Sequence, residues 1–136
     1  MARRIQPATP PAPAIAPGAA LRTYFNIAKA WSLNEQQTMT LLGFDASTRS
    51  TYFKWKKDPD SARLGRDRLE RLSYVFGIYK ALQLLLPDPA AADGWLHRPN
   101  SAVPFGGRAA IERLLSGNVA DLYVVREYLD TARGWS

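Results

Sequence analysis

The sequence predicts an all-α protein: a helical N-terminal region joined by one long central helix to a small helical C-terminal unit. Three observations carry this. Apolar residues recur at three- and four-residue spacing in several separate segments, the period of a helix with one buried face. No convincing run alternates apolar and polar residues as a half-buried strand does. Proline, glycine and asparagine stand between the periodic segments, where helices start and stop. With 136 residues, 46% of them hydrophobic, the chain is long enough for one compact domain or two small helical lobes sharing a core.

Residues 1–18 read as a flexible arm, because Pro7, Pro10, Pro11, Pro13 and Pro17 break any continuous helix or apolar leader. The first amphipathic helix follows, with Leu21, Tyr24, Phe25, Ala28 and Trp31 along it. Asn34 is placed as the N-cap of a short helix over residues 35–42, and Gly43 closes that helix. Phe44–Ser47 is a turn. Residues 48–57 form a further helix that Asp58-Pro59 stops, since proline disfavours helical geometry in the residue before it.

The longest periodic segment covers about residues 66–86. Its expected inner stripe is Leu69, Leu72, Phe76, Tyr79 and Leu86, flanked by Val75, Ile78, Leu82 and Leu85. Gly77 in its middle costs roughly 1 kcal/mol against alanine, which points to the close approach of a neighbouring helix. A short helix over 90–97, a loop from Arg98 to Gly107, a short helix over 109–116 and a final helix complete the chain. Asn118 is the expected cap of that final helix, whose inward residues are Leu122, Val125 and Leu129. The resulting division is an arm over 1–18, a helical region with its connecting helix over 19–86, and a C-terminal domain over 87–136.

The net charge of +6 is unevenly spread. Up to Lys80 there are 13 Lys/Arg against 6 Asp/Glu, and beyond it 5 against 6. A basic first half beside a near-neutral second half points to two surfaces with different partners, DNA being the natural one for the first.

Catalysis finds no anchor. The absence of cysteine excludes disulfides, thiol nucleophiles and thiolate metal sites, and fits a cytoplasmic location. The single histidine, His97, has the setting of a cap or surface residue. Gly106-Gly107 lacks the spacing and the following Lys-Ser/Thr of a phosphate loop. No segment reaches the roughly 20 apolar residues that span a bilayer. The chain is therefore expected to be a non-enzyme that uses no cofactor, no metal and no membrane.

Residues 35–57 are more informative. A helix, a turn at Gly43 and a second helix rich in Arg, Lys, Ser, Thr and aromatics have the outline of a helix-turn-helix. On that reading Thr48, Arg49, Ser50 and Thr51 face base edges, while Lys54, Lys56 and Lys57 meet phosphates. At least two of Tyr52, Phe53 and Trp55 are expected to be core anchors. A helical hairpin with a solvated basic face fits the same residues.

The C-terminal third carries a more specific pattern. It runs Trp95-Leu96, Pro99-Asn100, Phe105-Gly106-Gly107-Arg108, Ile111-Glu112-Arg113-Leu114-Leu115-Ser116-Gly117, Val125 and Tyr128-Leu129-Asp130. This closely resembles the toxin-binding domain of the Xre/MbcA/ParS antitoxin family. Glu70–Leu82 resembles that family's connecting helix, and the chain from about Ala20 its Xre-like helix-turn-helix. The resemblance implies an antitoxin that forms dimers and neutralises a RES-domain toxin, one that degrades NAD or uses it for ADP-ribosyl transfer. It implies blockage of the toxin's active-site entrance by the C-terminal helix and tail. The contacts then fall on Arg126, Asp130, Arg133, Gly134, Trp135 and Ser136. It further implies autoregulation of the operon through operator DNA. One departure weakens that last expectation: the stretch from Gly43 to Trp55 is about three residues longer than the family's spacing, with the excess in Phe44–Ser47. The alternative reading is a stand-alone dimeric helix-turn-helix regulator.

Overall fold

The computed structural model describes residues 16–134, so most of the expected arm, with Arg3 and Arg4, lies outside the described residues, as do Trp135 and Ser136. Helix α1 spans Pro17–Ala30. Pro17 stands in the first turn, where the N–H it lacks has no partner within the helix anyway, so the helix takes in the last two positions expected of the arm. Leu21, Tyr24, Ile27 and Ala28 turn inward, and Trp31 just past the helix is fully buried.

Helix α2 spans Glu35–Leu41. Its start is fixed by a reciprocal pair of bonds: the Gln37 N–H donates to the Asn34 side chain at 2.8 Å, and the Asn34 N–H donates to the Gln37 side chain at 2.9 Å. Such a cap stabilises a helix by about 1 kcal/mol. Gly43 then takes φ of 86°, a left-handed conformation that suits glycine at a helix end. The Phe44–Ser47 turn is an ordered device. Asp45 accepts from the N–H groups of Ser47 and Thr48 at 2.9 and 3.2 Å, which holds a 3-10 turn over Ala46–Thr48.

Helix α3 spans Arg49–Lys57, and a 3-10 turn over Pro59–Ser61 follows. Helix α4, Arg66–Leu85, is the long central helix. Helix α5, Pro89–Gly94, passes into a 3-10 turn over Trp95–His97. Helix α6 spans Ala110–Leu114, and α7 spans Val119–Ala132. Among the described residues there is no β-strand. An isolated antiparallel bridge between Pro99 and Ala109 pinches the base of the 98–108 loop.

A continuous buried cluster runs from Leu21 and Tyr24 through Tyr52, Val75 and Ile78 to Leu122 and Leu129. Helix α4 lies at its centre, packed against α1 on one side and α7 on the other. The buried stripe of α4 is Leu72, Val75, Ile78, Ala81 and Leu82. This corrects the expected stripe by a fraction of a turn: Leu69 is 52% exposed, and Phe76, Tyr79 and Leu86 are only partly buried. With leucines all around the helix, periodicity did not single out one face. Asn118 sits at the first position before α7, but its side chain makes no capping bond. Instead the Ser116 hydroxyl bonds Asp121 at 2.6 Å across the same turn.

His97 ties the halves together. Its Nε2–H donates to the carbonyl of Trp31 at 2.6 Å, joining the turn after α5 to the end of α1.

Candidate functional site

Two surfaces carry the residues singled out in the sequence. The first is α3. Tyr52 and Trp55 are buried, with Phe44 standing edge-on to both at 5.3 and 5.5 Å, while Phe53 is 37% exposed. Two of the three aromatics are thus core anchors, as expected. Arg68 from α4 caps this cluster, its guanidinium 3.9 Å from the Phe44 ring centre, a contact of about 1 kcal/mol. Burial lowers the Arg68 pKa from its ordinary value.

Of the expected DNA contacts, Ser50, Thr51 and Lys54 are exposed on α3. Thr48 is occupied in the turn, its hydroxyl accepting from the Asp45 N–H at 2.9 Å. Arg49 is exposed too, but lies along the surface, with Nη1 3.5 Å from the Met39 sulfur and its guanidinium 4.9 Å from the Phe53 ring. Lys56 is held by Glu35 at 2.6 Å, across from the start of α2. The Tyr52 hydroxyl donates to the same carboxylate. The Lys56 bond and then the Tyr52 bond lower the Glu35 pKa from its ordinary value. α3 itself has no acidic residue, and Lys54, Lys56 and Lys57 crowd its last turn.

The second surface is the end of α7. Arg126 Nε donates to Asp130 Oδ2 at 3.0 Å, one turn on. Arg133 Nη1 stands 3.8 Å from Asp130 Oδ1, and its side chain is only 11% exposed. The chain then turns at Gly134, whose N–H donates to the Thr131 carbonyl at 2.9 Å. Leu82, Leu85, Trp95, Tyr128 and Ala132 line a small open apolar groove alongside this end. Four of the six residues expected to meet a partner protein therefore lie together on one helix end.

Arg71 of α4, which is 8% exposed, links the turn after α2 to the turn before α7. Its Nε donates to Asp67 at 3.0 Å, and its Nη2 to the carbonyl of Gly117 at 3.0 Å, in the turn between α6 and α7. On its other side it lies against Gly43: a Cβ there would stand 2.8 Å from Nε. One guanidinium thus packs on the turn before α3 and bonds the turn before α7.

Comparison with known proteins decides what these surfaces belong to. The model of the antitoxin Xre-like helix-turn-helix domain matches residues 10–77, and that of the antitoxin Xre/MbcA/ParS C-terminal toxin-binding domain matches residues 81–134. The chain belongs to the Xre/MbcA/ParS antitoxin family. This antitoxin is also 43% identical over 116 residues to the uncharacterized protein y4oB of Sinorhizobium fredii, covering 85% of each chain. α3 therefore falls in the helix-turn-helix match and all of α7 in the toxin-binding match. The antitoxin's partner is a protein toxin.

Among the described residues of this antitoxin, no helix is long and apolar enough to cross a membrane. None of its described His, Asp and Glu residues cluster in a group of three or more that could hold a metal ion. Sequence reasoning missed Arg71, because nothing in a local pattern tells a buried bridging arginine from a solvated one. It anticipated a close approach at Gly77 without its partner, which is the guanidinium of Arg126.

Proposed function

We propose that this antitoxin neutralises a RES-domain toxin, one that consumes NAD by degradation or ADP-ribosyl transfer, by placing the end of α7 and the tail at the toxin's active-site entrance. The observation that carries this is the gathering of Arg126, Asp130, Arg133 and Gly134 at one helix end within the toxin-binding match. Trp135 and Ser136 extend the same contact. Side chains gathered and held at one helix end suit the blocking of such an entrance by bulk, and Asp130 is the anion among them that suits phosphate-binding donors. The apolar groove beside α7 offers such an interface an apolar patch for its core. In this reading the antitoxin is cytoplasmic, needs no cofactor, catalyses nothing and works as a homodimer within the toxin complex. The division into an arm over 1–18, a helix-turn-helix with connecting helix over 19–86 and a toxin-binding domain over 87–136 belongs to the same proposal.

The pair also represses its own operon through α3. Exposed Ser50, Thr51 and Lys54 support this, with Arg49, Lys56 and Thr48 joining after release from their present partners.

Co-expression with the adjacent reading frame tests the proposal, scoring growth, cellular NAD and co-purification. The expected outcome is a neighbour that is toxic and depletes NAD alone, and is harmless and bound when this chain is present. A harmless or unbound neighbour would overturn the proposal. Tight, steeply salt-dependent operator binding without any partner would then identify a free-standing regulator.

A further inference from the structure

Helices α4 and α7 meet at Gly77, where the Arg126 side chain occupies the space a side chain would take. A methyl group at Gly77 would overlap the guanidinium of Arg126. The atoms it would meet are the far end of a flexible side chain, so the helices need not part; the guanidinium must move instead. In its seat Arg126 donates to Asp130 Oδ2 at 3.0 Å. The other oxygen of Asp130 is buried without a hydrogen bond and faces Arg133 at 3.8 Å. A chain of contacts thus leads from the middle of α4 to the residue before the Gly134 turn. Glycine within a helix is unfavourable by about 1 kcal/mol against alanine. Intrinsic propensity therefore argues against Gly77, and the space it leaves argues for it.

We propose that Gly77 is a positioning residue for toxin recognition: its missing side chain seats the Arg126 guanidinium, which orients Asp130 and, through it, Arg133 at the end of α7. This rests on the reading of that helix end as the toxin contact.

The test is a double-mutant cycle on the full-length antitoxin, with affinity for the purified product of the adjacent reading frame measured by calorimetry. Gly77→Ala is expected to weaken binding about tenfold while the melting temperature holds or rises, because alanine is the better helix former. In an Arg126→Ala background the same substitution should change affinity less than twofold. Equal losses in both backgrounds, or no loss in either, would overturn the proposal. A second readout needs no toxin: the Arg126 Nε–H resonance of the free antitoxin, slow to exchange when seated, should broaden or vanish in Gly77→Ala. An unchanged resonance also overturns it. Deleting Arg133–Ser136 separates the two readings. If that deletion leaves affinity intact, the helix end is not the toxin contact and both fall. If it weakens binding while Gly77→Ala does not, the positioning role alone falls.

Discussion

Helix α3 and the end of α7 are both studded with basic side chains, and they treat them in opposite ways. On α3 the cations have no acidic residue within the helix, so Lys54 and Lys57 are exposed and Lys56 must reach Glu35 on another helix. On α7 each arginine has a carboxylate within one turn: Arg126 and Arg133 share Asp130. The first arrangement leaves a net positive field that acts at a distance and does not depend on fine geometry. The second offsets two cations in part with one shared carboxylate and fixes shape, which is what recognition of a concave protein site requires. Unpaired charge suits a polyanion, and charge held in a fixed geometry suits a protein.

That contrast can be broken most severely from the core. Trp31 is fully buried, packs 6.2 Å from the Tyr79 ring and accepts the His97 bond through its carbonyl. Trp31→Ala is expected to cost about 3–5 kcal/mol and to abolish toxin and DNA binding together, seen as one cooperative loss in thermal melting. Removing Arg133–Ser136 should instead separate the surfaces. Toxin affinity is expected to fall by 2 kcal/mol or more, roughly thirtyfold, with the melting temperature and operator binding unchanged. Matching losses in both activities would erase the distinction.

A smaller change sharpens the α3 side. Lys54→Ala should weaken operator binding several-fold regardless of sequence and lower the slope of log affinity against log salt by about 1, leaving toxin affinity alone. An unchanged salt slope would remove Lys54 from the phosphate contact. The smallest effect is expected at Glu35. Its carboxyl titrates below the ordinary 4.5, chiefly through Lys56, so its contribution is complete above that value and is lost as pH falls through the lowered one. Because the pair is well exposed, Glu35→Gln should cost under about 1 kcal/mol at pH 7, and less as pH falls through the lowered pKa. Denaturant melts along a falling pH series give the difference. The same variant frees Lys56 and should tighten operator binding slightly.

The difference between the surfaces also shows what the sequence made legible. Helix starts and stops were readable because their causes are local: Asn34 with Gln37, Gly43 after α2, Pro59 after α3. The core of α7, Leu122, Val125 and Leu129, was readable because these residues recur at three- and four-residue spacing. On α4 apolar residues surround the helix, so the spacing puts Leu69 inside although it is 52% exposed, and it gives no sign that Arg71 is buried. At the site, the candidate residues could be named from their spacing and from the resemblance. Their partners could not. Lys56 meets a carboxylate 21 residues away, and Arg126 meets a glycine 49 residues away on a different helix. Local patterns fix which side chains are available, while tertiary packing decides which of them are already engaged.

The Arg71 bridge has a consequence for inheritance. The two family matches meet between residues 77 and 81, inside α4, while Arg71 touches the turn of one and bonds the turn of the other. A recombination event that joined the front of one antitoxin to the back of another would cut the helix both halves use as a floor. It would also strand a buried cation opposite a loop that did not evolve with it. Exchange of toxin specificity between relatives should therefore favour breakpoints that carry α4 and the Gly117 turn together. Family members can trade partners readily only where that arginine finds the same carbonyl waiting.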